Sequence, residues 1–203
     1  MPTEVKTAKT RRYRKRRRAE LELKTRQAIT EATVKLHGTV GPARTTVSAI
    51  AEQAGVQRAT VYRHFPDERT LFQACSGHYL SMHPPPDPSQ WEGIADPAER
   101  LRGALTDVYD WWEETEDMMS RVIRDAPLVE SISEQTQARL AFFDHIAEVL
   151  MRGRRLRGKR KALVEAAIGH ALALSTWQSL VREQGLTNAA AVELMAGMVE
   201  RAG

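Results

Sequence analysis

The chain of 203 residues contains one cysteine, so no disulfide can form within it. Cys75 reads as a small apolar helix residue in a reducing cytoplasm. No run of 18 apolar residues occurs, which removes a membrane-spanning helix from consideration. The basic N-terminus is not followed by an apolar stretch of the kind a secretory signal needs. Period-2 alternation with β-branched enrichment is missing throughout, so no sheet is expected and the fold class is all-α. There is no G-x-S-x-G, P-loop or G-x-G-x-x-G, and no internal repeat at 20–50 residues. The six histidines show no metal-site spacing: His78 and His83 are five apart, with prolines following. An enzyme reading has no constellation to stand on, and neither cofactor nor metal is expected.

Hydrophobic residues make up 42% of the chain and charged residues 28%, enough apolar material for a core. The net charge of +4 is unevenly spread. Residues 1–20 carry nine Lys/Arg against Glu4 and Glu20; residues 21–83 carry seven basic and five acidic side chains; residues 84–203 carry 14 and 19. Only the front of the molecule is suited to a polyanionic partner. "RRYRKRRR" at 11–18 is the sharpest charge run. Residues 1–18 lack apolar periodicity and read as a basic disordered arm. Such an arm is either a solvated tail or a nucleic-acid-binding segment, in which case Arg12, Arg14 and Arg16 are candidate contacts.

From Glu20 to His37 the pattern is helical, with Ile29, Ala32 and Leu36 on one stripe, until Gly38 and Gly41-Pro42 end it. "TTVSAIAEQAG" (45–55) opens a short second helix with Thr46 as N-cap and Gly55 as stop. "VQRATVYRHF" gives a third, and a fourth runs from after Pro66-Asp67 to about Leu80. These define a domain over 19–80. Five of the nine prolines then fall between positions 84 and 97, so 81–97 reads as a Pro-rich linker. Residues 98–203 are helical to the end. Leu101, Leu105, Val108 and Trp112 form one stripe; Leu140, Phe143, Ala147 and Leu150 form a second. Leu163, Ala167, His170, Leu174, Trp177 and Val181 form a third, five turns long.

Two short helices joined at Gly55 make a helix-turn-helix. Ala51 is small where the second helix crosses it, Gly55 permits the positive φ of a sharp turn, and Ile50, Val56 and Val61 join the helices. Val61 and Phe65 are one turn apart and face the core. That leaves Gln57, Arg58, Ala59, Thr60, Tyr62, Arg63 and His64 as the candidate DNA-binding set. The N-terminal part of such a helix meets base edges in the major groove. Arg58 suits bidentate contact to guanine and Gln57 contact to adenine, whereas Tyr62, Arg63 and His64 suit phosphates. Tyr62 has the rival role of packing on the first helix.

"TTVSAIAEQAGVQRATVYRHFPDERTLFQA" (45–74) resembles the DNA-binding domain of the tetracycline-repressor (TetR) family. The pattern is carried by Thr46, Ile50, Ala51, Ala54, Gly55, Val56, Thr60, Tyr62, His64, Phe65 and Leu71, and the close match covers residues 20–80. The resemblance implies an all-α homodimer whose larger C-terminal domain binds a small-molecule effector and, in many members, thereby lowers DNA affinity. It places Thr46, Thr60, Tyr62 and His64 at DNA-contacting positions. One position departs from the pattern: the family often has lysine at the start of the fourth helix, aimed at a phosphate, and Glu68 stands there, with Arg69 next to it.

In the second domain, Trp111, Trp112, Met119, Phe143, His170 and Trp177 either line an effector pocket or fill the core. The expectation is a cytoplasmic, ligand-responsive repressor that binds a palindromic operator in double-stranded DNA as a homodimer. Two rivals stand beside it: an activator or global regulator with little sequence choice, and a membrane-surface protein that docks its basic arm on anionic lipid.

Overall fold

The computed structural model describes residues 4–203, with side chains from Tyr13 onward. No strand occurs among the described residues. The chain divides into two compact units, Met1–Tyr79 and Leu80–Gly203.

The first unit begins with α1, Glu4–Thr39, a helix of 36 residues and so about 54 Å long. This differs from the disordered arm expected over residues 1–18: residues 4–18 continue the helix that carries Ile29. The physical reason is propagation. No glycine or proline lies between Glu4 and Gly38, and Arg, Lys, Ala and Glu are good helix formers. Once the packed half of α1 has met the cost of nucleation, each further residue adds a hydrogen bond without needing an apolar face. Arg16–Glu20 and Arg18–Glu22, at 3.2 and 3.1 Å, add exposed i,i+4 pairs.

The packed face of α1 presents Ile29, Ala32, Thr33 and His37, all buried. Ile29 and Ala32 join Ile50 and Ala51 of α2 (Val47–Gln53), Val61 of α3 (Arg58–His64), Phe65, and Leu71 of α4 (Glu68–Met82) in one core. His37 stacks on Phe72 with centroids 4.8 Å apart, and its Nδ1 lies 3.4 Å from the Cys75 Sγ. Burial pushes the Cys75 thiol up to about 12, so it behaves as the apolar residue the composition suggests.

The second unit does not treat residues 81–97 as a bare linker. A short helix, α5 (Ser89–Glu92), carries Trp91, which is 2% exposed. Trp91 packs into the same core as Leu101 and donates to the Asp107 carboxylate at 2.7 Å. The core is built on α6 (Pro97–Asp125), whose stripe of Leu101, Leu105, Val108 and Trp112 is buried. Against it pack α7 (Ser133–Met151), α8 (Gly158–Leu172), α9 (Leu174–Trp177) and α10 (Asn188–Ala202).

The third predicted stripe is not one helix of five turns. The chain breaks at Ala173, where ψ is 136°, and continues through α9 into a π-helical segment, Gln178–Glu183. Two side chains from α6 explain the break. Tyr109 Oη donates to the Ala171 carbonyl at 3.0 Å and Trp112 Nε1 to the Leu172 carbonyl at 3.1 Å. They satisfy carbonyls that a continuing helix would have bonded to residues 175 and 176. The buried face of α8 is Val164, Ile168, Ala171 and Leu172, one position on from the expected stripe, and Leu163 is 57% exposed.

Candidate nucleic-acid interface

The turn between α2 and α3 is closed by backbone hydrogen bonds from Gly55 N to Glu52 O (3.1 Å) and Val56 N to Ala51 O (2.9 Å). Gly55 has φ +67°, and nothing would lie within 4 Å of a Cβ added there. Glycine is therefore needed for its backbone conformation, not for space. Thr46 caps α2: its Oγ1 accepts from Ala49 N at 3.2 Å. The cap uses a lone pair and leaves the hydroxyl proton to donate elsewhere.

Helix α3 has two faces. Val61 and Phe65, at 1% and 2% exposure, lock it to the core. Gln57, Arg58, Ala59, Tyr62 and Arg63 are exposed, and Thr60 and His64 are half-buried. Gln57 is the N-cap of α3 by backbone alone and makes no side-chain cap bond, so its amide is not spent on the helix. Tyr62 is 49% exposed.

Sequence reasoning missed Arg26. Its guanidinium donates to the His64 carbonyl at 2.6 Å and lies 4.0 Å over the Phe65 ring. The contact ties the C-terminal turn of α3 to α1. The signal was present: Arg26 lies three residues before Ile29 and seven before Thr33, on the packed stripe of α1. His64 titrates below the ordinary histidine value, first because burial disfavours the charged ring and then because Arg63 and Arg26 stand near it. Its Nε2 is screened from solvent without a hydrogen-bond partner.

Of the remaining candidates, Arg14 and Arg16 are exposed on the N-terminal extension of α1, and the side chain of Arg12 lies outside the described residues. Glu68 is the first residue of α4 and exposed. Beside it the Asp67 Oδ1 accepts from Thr70 N at 2.7 Å, so the acidic pair serves the start of the helix.

The second unit contains a cavity of about 470 Å³ between α6, α7 and the α8–α9 break. Trp112 and Phe143 line it, with rings stacked at 5.2 Å. The other residues expected there do not. Trp111, Met119 and Trp177 are buried in the core, and Trp177 Nε1 donates to Asn188 Oδ1 at 2.9 Å. His170 is exposed on α8, off the face that buries Val164, Ile168, Ala171 and Leu172.

Residues 29–75 match the family model described as bacterial regulatory proteins, tetR family. The chain is 36% identical over 99 residues to the HTH-type transcriptional regulator TtgR of Pseudomonas putida. That match covers 47% of this chain and 46% of the relative, so the chain spans about half the length of the curated relative it matches. A TetR-like transcriptional regulator from Rhodococcus sp. RHA1 superposes with a TM-score of 0.62 at 21% identity, over 87% of this chain and 94% of that one. NalD, the secondary repressor of the MexAB-OprM multidrug efflux pump in Pseudomonas aeruginosa, superposes with a TM-score of 0.59 at 21% identity, over 90% and 97%. At these identities the structures share the fold. Residues 29–75, which hold the helix-turn-helix, are thus similar to the segment that the tetR family model of bacterial regulatory proteins describes, and the whole chain shares the fold of the TetR-like structures.

Proposed function

We propose that the protein is a transcriptional regulator that reads a palindromic operator with α3 and releases it when a small molecule enters the cavity of the second unit. The observation that carries this reading is the division of labour on α3. Val61 and Phe65 are buried, while Gln57, Arg58, Ala59, Tyr62 and Arg63 form a dense exposed polar face on the same two turns. Arg58 is in the first turn of the helix, the part that meets base edges, and its guanidinium fork matches guanine O6 and N7.

A palindrome requires a two-fold dimer. Leu163 on α8 and Leu194 and Met198 on α10 are 57%, 40% and 47% exposed; these apolar side chains supply a surface for a second copy. Repression is the direction favoured by the neighbour NalD, described as a repressor. The family consists of regulatory proteins, and the reading assigns no catalysis.

The test is Arg58→Ala in a gel-shift titration against the operator and against scrambled duplex. Operator affinity should fall by about 1–3 kcal/mol, with preference relaxed at one base pair per half-site and random binding changed much less. An equal loss on both duplexes would make Arg58 a phosphate contact. Anionic vesicles serve as the control for lipid docking, and tight binding to them with no preference for DNA would overturn the reading.

A further inference from the structure

The cavity of the second unit has a floor of apolar side chains, Trp112, Phe143, Ala147 and Leu172. A volume of about 470 Å³ fits a drug-sized ligand. The polar groups at its wall decide what that ligand carries, and most are already engaged. The Gln178 amide donates to Glu116 Oε1 at 3.1 Å and to Ser120 Oγ at 3.0 Å. Arg124 is paired with the Asp125 carboxylate at 2.7 Å. Two charged groups remain, Arg139 and Asp144, both on α7.

They differ in environment. Asp144 is exposed, so water already solvates it. Arg139 is half-buried, and burial holds its guanidinium below the ordinary arginine value. Among the described residues, no carboxylate lies within ion-pairing distance of Arg139. One turn earlier on α7, Gln135 Oε1 and Thr136 Oγ1 are also buried without a hydrogen-bond partner. A cation that has lost water and gained no counter-charge gains more from an arriving anion than a solvated carboxylate gains from an arriving cation. A planar guanidinium also accepts a carboxylate through two parallel hydrogen bonds, which fixes the ligand's orientation.

We propose that the effector is an amphipathic organic anion, an aromatic or aliphatic body with a carboxylate, whose body lies on Trp112 and Phe143 and whose carboxylate pairs with Arg139. This rests on the reading of the second unit as an effector domain. The ion pair answers the buried charge of the cavity wall and draws α7 toward α6. A neutral ligand would leave Arg139 desolvated and unpaired, and a cationic one would be repelled by it.

The experiment is isothermal titration calorimetry of the full-length protein with three probes that share one ring system: naphthalene-1-acetate, naphthalene-1-acetamide and naphthalen-1-ylmethylammonium. The acetate should bind about tenfold tighter than the amide, and the ammonium more weakly than both. Arg139→Gln should bring acetate and amide to equal affinity, Arg139→Lys should restore part of the difference, and Asp144→Asn should leave the order unchanged. Ala147→Trp, which fills the cavity, should abolish binding of all three; circular dichroism checks that each variant is folded. An acetate preference over the amide that survives Arg139→Gln, or acetate binding that survives Ala147→Trp, overturns the assignment, as does tightest binding by the ammonium. If the three probes bind alike in the wild type, the anion preference fails while the cavity stands as an effector site. If none binds, the effector-domain reading fails, and the proposal with it.

Discussion

Arg26 and His64, 38 positions apart, are joined by a hydrogen bond of 2.6 Å from the guanidinium to the backbone carbonyl. The same guanidinium covers the Phe65 ring. A residue on α1 therefore holds the last turn of α3 in place. Arg26→Ala removes a charge-assisted hydrogen bond and a cation–π contact, and should cost about 1.5–3 kcal/mol of stability in urea denaturation. At a temperature where the variant is folded, operator and random DNA affinity should fall together. Arg26→Lys keeps the charge but loses the fork, and should recover only part of the loss. If Arg26→Ala selectively loses operator binding, Arg26 reads a base instead of holding α3.

Gly55 gives a cleaner separation of conformation from packing. An added Cβ meets nothing within 4 Å, and φ is +67°. Gly55→Ala should therefore destabilise the first unit by about 1–2 kcal/mol through backbone strain alone. Gly55→Asn should cost less, because Asn tolerates the left-handed region. Equal thermal melts for wild type and Gly55→Ala would show that the turn does not depend on this conformation.

His64 should make both stability and DNA affinity depend on pH. Its folded-state pKa is below the ordinary value of 6.5, so the unfolded chain binds more protons than the folded one below that pH. The His64 contribution is constant above 6.5 and is lost as pH falls through the depressed folded value. A phosphate beside the ring would favour the protonated form instead. Operator binding should therefore take up a proton and strengthen from pH 8 towards pH 6. His64→Gln should flatten the affinity profile in gel shifts between pH 8 and pH 6, and the stability profile in melts run below pH 6.5. Flattening of the stability profile alone would place the ring away from phosphate.

The N-terminal half of α1 tests whether the charge asymmetry has a function. Arg16 and Arg18 are paired with Glu20 and Glu22, but exposed pairs of this kind are worth only ~0.3–0.5 kcal/mol, so phosphates compete for the arginines readily. Deleting residues 1–18 should flatten the slope of log affinity against log salt by roughly four units per subunit, at about 0.9 per phosphate contact. The preference for operator over scrambled duplex should survive. An unchanged slope across a salt series would make this half of the helix a bystander.

The local chemistry of the first unit was legible along the chain because its rules act over a few residues. Thr46 caps the helix it precedes, Gly55 turns where positive φ is needed, and the four-residue spacing of Val61 and Phe65 chooses the buried face of α3. The all-α class and the buried stripe of α6 follow from periodicity in the same way.

Tertiary structure decided whatever depends on partners distant in sequence. Residues 4–18 have no apolar face, yet they are helical as the continuation of a helix whose other half is packed. Trp91 sits among prolines, yet it is a core residue because Asp107 accepts its indole N–H. No glycine or proline marks the break at Ala173. It exists because Tyr109 and Trp112, 62 and 60 positions before the carbonyls they bond, take groups that would have extended α8. Beyond that break Trp177 enters the core, and Ala173, Leu174 and Ser175 at the break line the cavity beside Trp112 and Phe143 where Arg139 stands without a counter-charge. A hydrogen bond or an ion pair is made by whatever the fold brings within about 3 Å, and spacing along the chain carries no information about that distance.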